Sequence, residues 1–321
     1  MDKENDRHNT FFLRVQTTSC LYTQKWVDKR LATVQQQLVV EVLIPYLRVV
    51  EQQIEISDDY RIITKTKMTL PPGKPFCNIQ DKLNSLDFLN RLKLTKALLY
   101  ALQILTERDV IHGAISTQTI LIDENENSDL KVYIVNFKHA RLAGDNHLSR
   151  HVDDYFSAPE VLEKCNISLK SDVYSLGIVL ALLWGVPNMI VKSNLAKRRS
   201  ESQKWVPAVN LRHLFYNMND PKLIQPYKNE ISRIISSMIC IQDKRLPLDR
   251  AIQHFEKLDE TIQQQNADIA RKPGMNHHHF GCLSFFAKPG KRVTGRNIEE
   301  VDLLELQQRV ASPNRATQTE I

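Results

Sequence analysis

No glycine precedes Gly73, and the whole chain of 321 residues holds only nine. The first part therefore has no glycine-rich loop able to close over phosphates. Long apolar runs are missing too. The longest, Leu176 to Val186, falls well short of the roughly 20 residues that a membrane-spanning helix needs, and reads as a buried helix. The five cysteines, Cys20, Cys77, Cys165, Cys240 and Cys282, are scattered and form no C-x-x-C pair. That argues against a disulfide framework or a zinc knuckle and for a reducing compartment. The polar opening Met1-Asp2-Lys3-Glu4-Asn5 has no apolar core of a leader, so the sequence predicts a cytoplasmic chain without a secretory signal. A net charge of +6 is modest for this length. Its densest basic cluster, Lys197-Arg198-Arg199, sits in a polar stretch with Glu201 and reads as a solvated loop, so no nucleic-acid partner is expected. His277-His278-His279 lacks the ligand spacing of a zinc site and reads as an exposed turn, so neither a metal nor a cofactor is expected.

What is present is a globular composition, 42% apolar and 25% charged, enough for a sizeable core. Leu38 to Glu51 is rich in Val, Leu and Ile, and Tyr60 to Met68 is rich in β-branched residues with partial alternation, which predicts a strand. Pro71-Pro72-Gly73-Lys74-Pro75 closes this first unit. Leu92, Ala97, Leu98, Ala101, Leu102 and Leu105 recur at helical spacing. Ile120 to Asp123 and Leu130 to Val135 flank a polar segment and predict a hairpin. Ser171 is predicted to cap the next helix, with Asp172 in its first turn. Ile231, Ile234, Ile235 and Met238 share one face of a later helix, and the chain turns polar beyond Leu258. Strands first, then helices with one interrupting hairpin, predict an α+β protein of two lobes.

Three landmarks run through the second part. They are His112-Gly113-Ala114 leading to Thr119, then Asn136-Phe137-Lys138, then Ala158-Pro159-Glu160 followed eleven residues after Glu160 by Ser171-Asp172-Val173-Tyr174-Ser175-Leu176-Gly177. The first is uninformative alone; specificity rests on the ordered second half. From about Leu92 to Arg250 the chain resembles the C-terminal lobe of the protein-kinase family. The resemblance implies a two-lobed protein-kinase-like fold: a flexible 1–10, a reduced N-terminal lobe over 11–75, a mainly helical C-terminal lobe over 76–260 and a polar, largely flexible tail over 261–321. Phe12-Leu13-Arg14-Val15 aligns with the family's lysine-bearing strand, which places Arg14 near the lysine position.

In that family the catalytic loop H-R-D-x-x-x-x-N supplies an aspartate that accepts the substrate proton and an asparagine that holds magnesium, while the D-F-G aspartate holds a second metal ligand position. Here Ala114 has no acceptor, Thr119 offers a neutral hydroxyl, Asn136 a neutral carbonyl, and Lys138 a positive charge in place of glycine. The resemblance therefore implies a pseudokinase, not an enzyme, similar to those of the nuclear-receptor-binding-protein kind. A divergent nucleotide-binding sensor, or an allosteric regulator of an active kinase, is the alternative. By the same resemblance Glu160 pairs with Arg245 and Asp172 braces the turn at His112, both in structural roles.

The last residues turn the argument to partners. Arg315-Ala316-Thr317-Gln318-Thr319 resembles the basic-x-T-Q-T motif bound by the homodimeric dynein light chain, a strand-addition mode in which Thr317 and Thr319 face one way and Gln318 the other. Two copies would then be held together on one light-chain dimer. Thr319-Glu320-Ile321 also fits the carboxyl terminus that PDZ domains capture.

Overall fold

The computed structural model describes residues 11–19, 40, 41, 43–56, 61–124, 130–144, 153, 155–164, 167–187, 211–216 and 225–271. The chain divides into two units, Met1–Gly274 and Met275–Ile321. The second unit, with the His277-His278-His279 run and the residues Arg315, Thr317, Gln318 and Thr319, lies outside the described residues, as does Lys197-Arg198-Arg199.

The first unit opens with three antiparallel strands, β1 (Phe11–Ser19), β2 (Arg48–Ile56) and β3 (Arg61–Thr69), in the order β1-β3-β2. The β-branched β3 is central. Its Thr64, Thr66 and Met68 are buried while Lys65 and Lys67 are partly exposed, the period-two alternation of a strand with one face on a core. Arg14 stands opposite Thr66 in the register, and a bulge between Val49 and Glu51 shifts β2 against its neighbour.

Short elements then lead into a mainly helical part. They are β4 (Lys74–Pro75), α1 (Gln80–Asn84), α2 (Phe88–Thr106), β5 (Val110–Ile111), β6 (Ile120–Glu124), β7 (Leu130–Ile134) and β8 (Arg141–Leu142). After these come α3 (Pro159–Lys164), α4 (Leu169–Leu183), α5 (Lys228–Met238) and α6 (Leu248–Arg271). Strands β6 and β7 form the hairpin that alternation predicts, with Ile120 opposite Ile134 and Glu124 opposite Leu130, and β4 adds to its edge. Strands β5 and β8, on either side of that hairpin in the chain, pair with each other, Val110 opposite Leu142 and Ile111 opposite Arg141. Helix α2 opens on Asp87, whose Oδ1 accepts the Asn90 N–H at 2.8 Å, an N-cap that offsets one of the helix's unpaired donors.

Helix α4 is the axis of the core. Every residue from Ser171 to Leu183 is buried, as expected of a helix packed on all sides. Gly177 lets α5 approach closely: a Cβ there would lie 2.7 Å from Ile239 Cγ2 and 3.0 Å from Met238 Cβ. The cap is Ser168, not Ser171. The Ser168 hydroxyl accepts the Ser171 N–H at 3.3 Å, and the Ser168 N–H donates to Ser171 Oγ at 2.9 Å, a reciprocal capping box. Two serines three residues apart suit either end of such a box, and the sequence pattern favoured the wrong one.

Helix α6 also corrects an expectation, since it runs past residue 260 to Arg271 into the stretch assigned to the tail. Leu258 and Ile262, four apart on one face, are both buried, so the helix stays seated although its outer face turns polar. Among the described residues no helix is long and apolar enough to cross a membrane.

Candidate functional site

Helix α2 delivers the chain through β5 into His112-Gly113-Ala114. Gly113 takes φ +73°, and a Cβ there would approach the His139 carbonyl oxygen to 3.1 Å, so the turn requires glycine's left-handed freedom. From the first turn of α4, Asp172 reaches this turn. Its Oδ2 accepts the His112 N–H at 2.7 Å and its Oδ1 the Gly113 N–H at 2.9 Å. One carboxylate thus holds two successive backbone amides. Burial pushes the Asp172 carboxyl up to about 7, against the pull of both amides and of the nearby Arg141 charge.

The His112 ring is fully buried, edge-on to Phe137 with centroids 5.1 Å apart. Its Nε2 lies 3.0 Å from the Val135 carbonyl oxygen, which can only accept, so Nε2 carries the proton. Nδ1 then accepts the Ala114 N–H at 3.3 Å. Burial pushes His112 down to about 4, so the ring is neutral at pH 7.

Those two groups have opposite signs in the pH dependence of stability. The depressed His112 contributes fully above the unfolded histidine value near 6.5 and loses its contribution as pH falls through 6.5 toward 4. The raised Asp172 contributes fully below about 4 and loses its contribution as pH rises toward 7. His112→Phe removes the first term alone. The stability advantage of the native chain over this variant, measured by urea denaturation, is expected to fall by about 2 kcal/mol between pH 7 and pH 5. A difference that is the same at both pH values would show that the imidazole is not held neutral.

The remaining positions carry side chains other than those of the family's motif. Ala114 ends in a methyl group. The Thr119 hydroxyl accepts the Ser116 N–H at 2.9 Å and sits 3.2 Å and 3.3 Å from the Ala114 and Ser116 carbonyl oxygens. Its single proton and one lone pair are thus engaged within its own loop. Asn136 adopts φ 68°, ψ 65°, a left-handed conformation that asparagine tolerates better than most residues. Asn136 and Lys138 are both exposed, Lys138 in the short turn Phe137–His139. Among the described residues no group of three or more His, Cys, Asp or Glu is placed to share a metal ion.

A second polar centre lies between α3 and the segment after α5. Arg245 donates through Nη1 to Glu160 Oε1 at 2.5 Å and through Nη2 to Oε2 at 3.0 Å. The same guanidinium donates to the Lys170 carbonyl at 2.8 Å and twice to the Cys240 carbonyl, at 2.9 Å and 3.1 Å. It also stands over the Tyr174 ring at 5.0 Å.

Sequence reasoning missed three anchors, of which Arg91 and Trp184 are buried and Tyr46 is partly buried. Arg91 is fully buried and donates to the carbonyls of Asn84 at 2.6 Å, Leu86 at 3.0 Å and Leu183. Burial lowers its guanidinium to about 10, still charged at neutral pH. Trp184 donates through Nε1 to Thr95 Oγ1 at 3.0 Å. Tyr46 donates to the Ile134 carbonyl at 2.7 Å and accepts the Ile134 N–H at 3.3 Å, tying the segment before β2 to β7. A signal existed for the first: Arg91 falls in line with Thr95, Leu98 and Leu102 on the buried stripe of α2.

The protein kinase domain family model matches residues 49–255. Cysteine-rich receptor-like protein kinase 10 of Arabidopsis thaliana is 27% identical over 206 residues, 60% of this chain and 29% of that protein. The G-type lectin S-receptor-like serine/threonine-protein kinase SD2-2 of the same plant is 32% identical over 148 residues, 42% of this chain and 18% of that protein. The DNA damage response protein kinase DUN1 of Saccharomyces cerevisiae is 25% identical over 193 residues, 54% of this chain and 35% of that protein. The chain spans less than half the length of the curated relatives it matches. These findings overturn the expectation that the chain is not an enzyme, since the matched family is an enzyme family and the relatives bear the names of protein kinases. That expectation weighed four altered positions, whereas the similarity is carried by the whole of 49–255.

Proposed function

This chain belongs to the protein kinase domain family, and we propose that it acts there as an adaptor whose kinase-like body is a platform and whose C-terminal segment recruits dynein light chain. The observation that carries this reading is the Arg315-Ala316-Thr317-Gln318-Thr319 sequence. Its β-branched threonines suit an extended peptide that adds to a sheet edge. The braces at Asp172 and Arg245 keep the body's frame, while Ala114, Thr119, Asn136 and Lys138 depart from the family's phosphate-handling pattern. That contrast supports a role for the body as a binding surface.

A light-chain dimer has two such grooves, so it would carry two copies of this chain. Pairing of this kind raises affinity for a shared third partner by about 10²–10⁴ without a new contact. Affinity purification of the intact chain is expected to retain light chain, and Thr317→Ala with Gln318→Ala and Thr319→Ala to lose it. Partners held by the body should stay in both samples. Light chain retained by the triple variant would refute the assignment.

A further inference from the structure

We propose that the outer edge of β1 is a dimerisation surface, on which β1 of a second copy of this chain pairs antiparallel. The proposal concerns the first sheet alone and is independent of the tail's partner. In the order β1-β3-β2 the outer strands are β1 and β2, and among the described residues no strand lies beyond either. Alternate residues of such a strand turn their backbone N–H and C=O groups outward, which makes a template for a further strand.

The two edges differ in how they resist that template. β2 carries the devices that keep an edge single: a bulge between Val49 and Glu51, the exposed Glu51 and Glu55, and an ion pair from Glu55 to Lys65 at 2.7 Å. β1 has none of them. Its nine residues pair with β3 without a bulge, hold no proline or glycine, and include one charge, Arg14. Phe11, Phe12, Val15, Thr17 and Thr18 are aromatic or β-branched and suit continued pairing. The residues just before it, with Asp2, Lys3, Glu4, Asp6 and Arg7, do not.

The strand is also complementary to itself. Antiparallel pairing about a two-fold axis at Val15 overlaps all nine residues. It sets Phe12 against Thr18, Leu13 against Thr17 and Arg14 against Gln16 of the second copy. Aromatic and β-branched residues opposite each other are favourable, and like charges opposite each other are not. Moving the axis one residue, to Arg14, sets the two guanidinium groups against each other. Pairing about Val15 avoids that clash, joins the two three-stranded sheets into one and closes the β1 edge of both copies.

The test uses the purified full chain without light chain, in sedimentation equilibrium across the micromolar range. A concentration-dependent dimer is expected. Val15→Glu places two carboxylates at the axis while giving Lys65, the register partner of Val15 on β3, an opposite charge. It should weaken dimerisation about tenfold at an unchanged melting temperature, and an equal mixture of Val15→Glu and Val15→Lys should restore it. With Cys20 and the exposed Cys77 changed to serine, Val15→Cys should give a disulfide-linked dimer under mild oxidation. Thr18→Cys, whose two copies lie about 20 Å apart in this register, should not. A monomer at every concentration would overturn the proposal, and β1 amides protected from exchange in that monomer would assign the edge to another segment of the same chain. A dimer indifferent to Val15→Glu, no recovery in the mixture, or cross-linking through Thr18→Cys equal to that through Val15→Cys would each overturn it too.

Discussion

Arg245→Ala is expected to destabilise the chain by about 3–5 kcal/mol, the usual loss when one partner of a buried ion pair is removed. The size follows from what remains behind. Glu160 is 9% exposed, and among the described residues Arg245 is the cation paired with it, so without the guanidinium its charge is left in a poorly solvating site. The Cys240 and Lys170 carbonyls lose their donor as well, and Tyr174 loses the cation over its ring. The pair itself need not be a large net gain, because burying two charges costs solvation that their attraction offsets only in part. A cycle separates these statements. If the harm is an orphaned charge, Glu160→Leu combined with Arg245→Met should be more stable than Arg245→Ala alone. Urea midpoints of the single and double variants decide it: a double variant as unstable as the sum of its parts would show that the two side chains act independently.

Trp184→Ala should cost a similar amount, about 3–5 kcal/mol, for a different reason. The indole is fully buried at the end of α4, edge-to-face with Phe88 at 5.7 Å and with Phe215 at 5.8 Å. Its removal leaves a cavity that the surrounding rings fill only in part, so lost transfer energy and lost dispersion contacts add. Trp184→Phe keeps most of the volume and gives up the Nε1 bond to Thr95, a loss of about 1 kcal/mol. The gap between the two variants therefore measures packing against hydrogen bonding. If Trp184→Ala unfolds within about 1 kcal/mol of the native chain, aromatic packing is not what holds this end of α4.

The parts of the fold that were legible in the sequence are those set by local periodicity. The β6–β7 hairpin followed from two apolar runs around a polar turn, and α2 from the spacing of Leu92, Leu98, Leu102 and Leu105. Choices between equivalent local signals were not legible. Ser168 and Ser171 both suit a capping box, and only the path of the preceding chain decides which hydroxyl is the cap. The length of α6 depends on Ile262 meeting the core, a tertiary fact hidden within Glu260 to Gln265, which reads as polar. At the site, the identity of each altered position was plain, but the use of the Thr119 hydroxyl was not: its bonds run to backbone groups of Ala114 and Ser116, and no residue pattern announces them. The judgement against enzyme membership failed at a different level. It inferred a class from four side chains, whereas the class is shared by the whole folded segment.

The Arg91 guanidinium has a consequence for how this molecule opens. Its three acceptors come from the end of α1, the turn before α2 and the last residue of α4, so a single ion joins segments far apart in the chain. Pulling any one of them away strips hydration-free charge of part of its shell while the rest stays closed over it. Partial fraying is thereby disfavoured, and the amides of α1, α2 and the tail of α4 are expected to exchange together, as one cooperative unit.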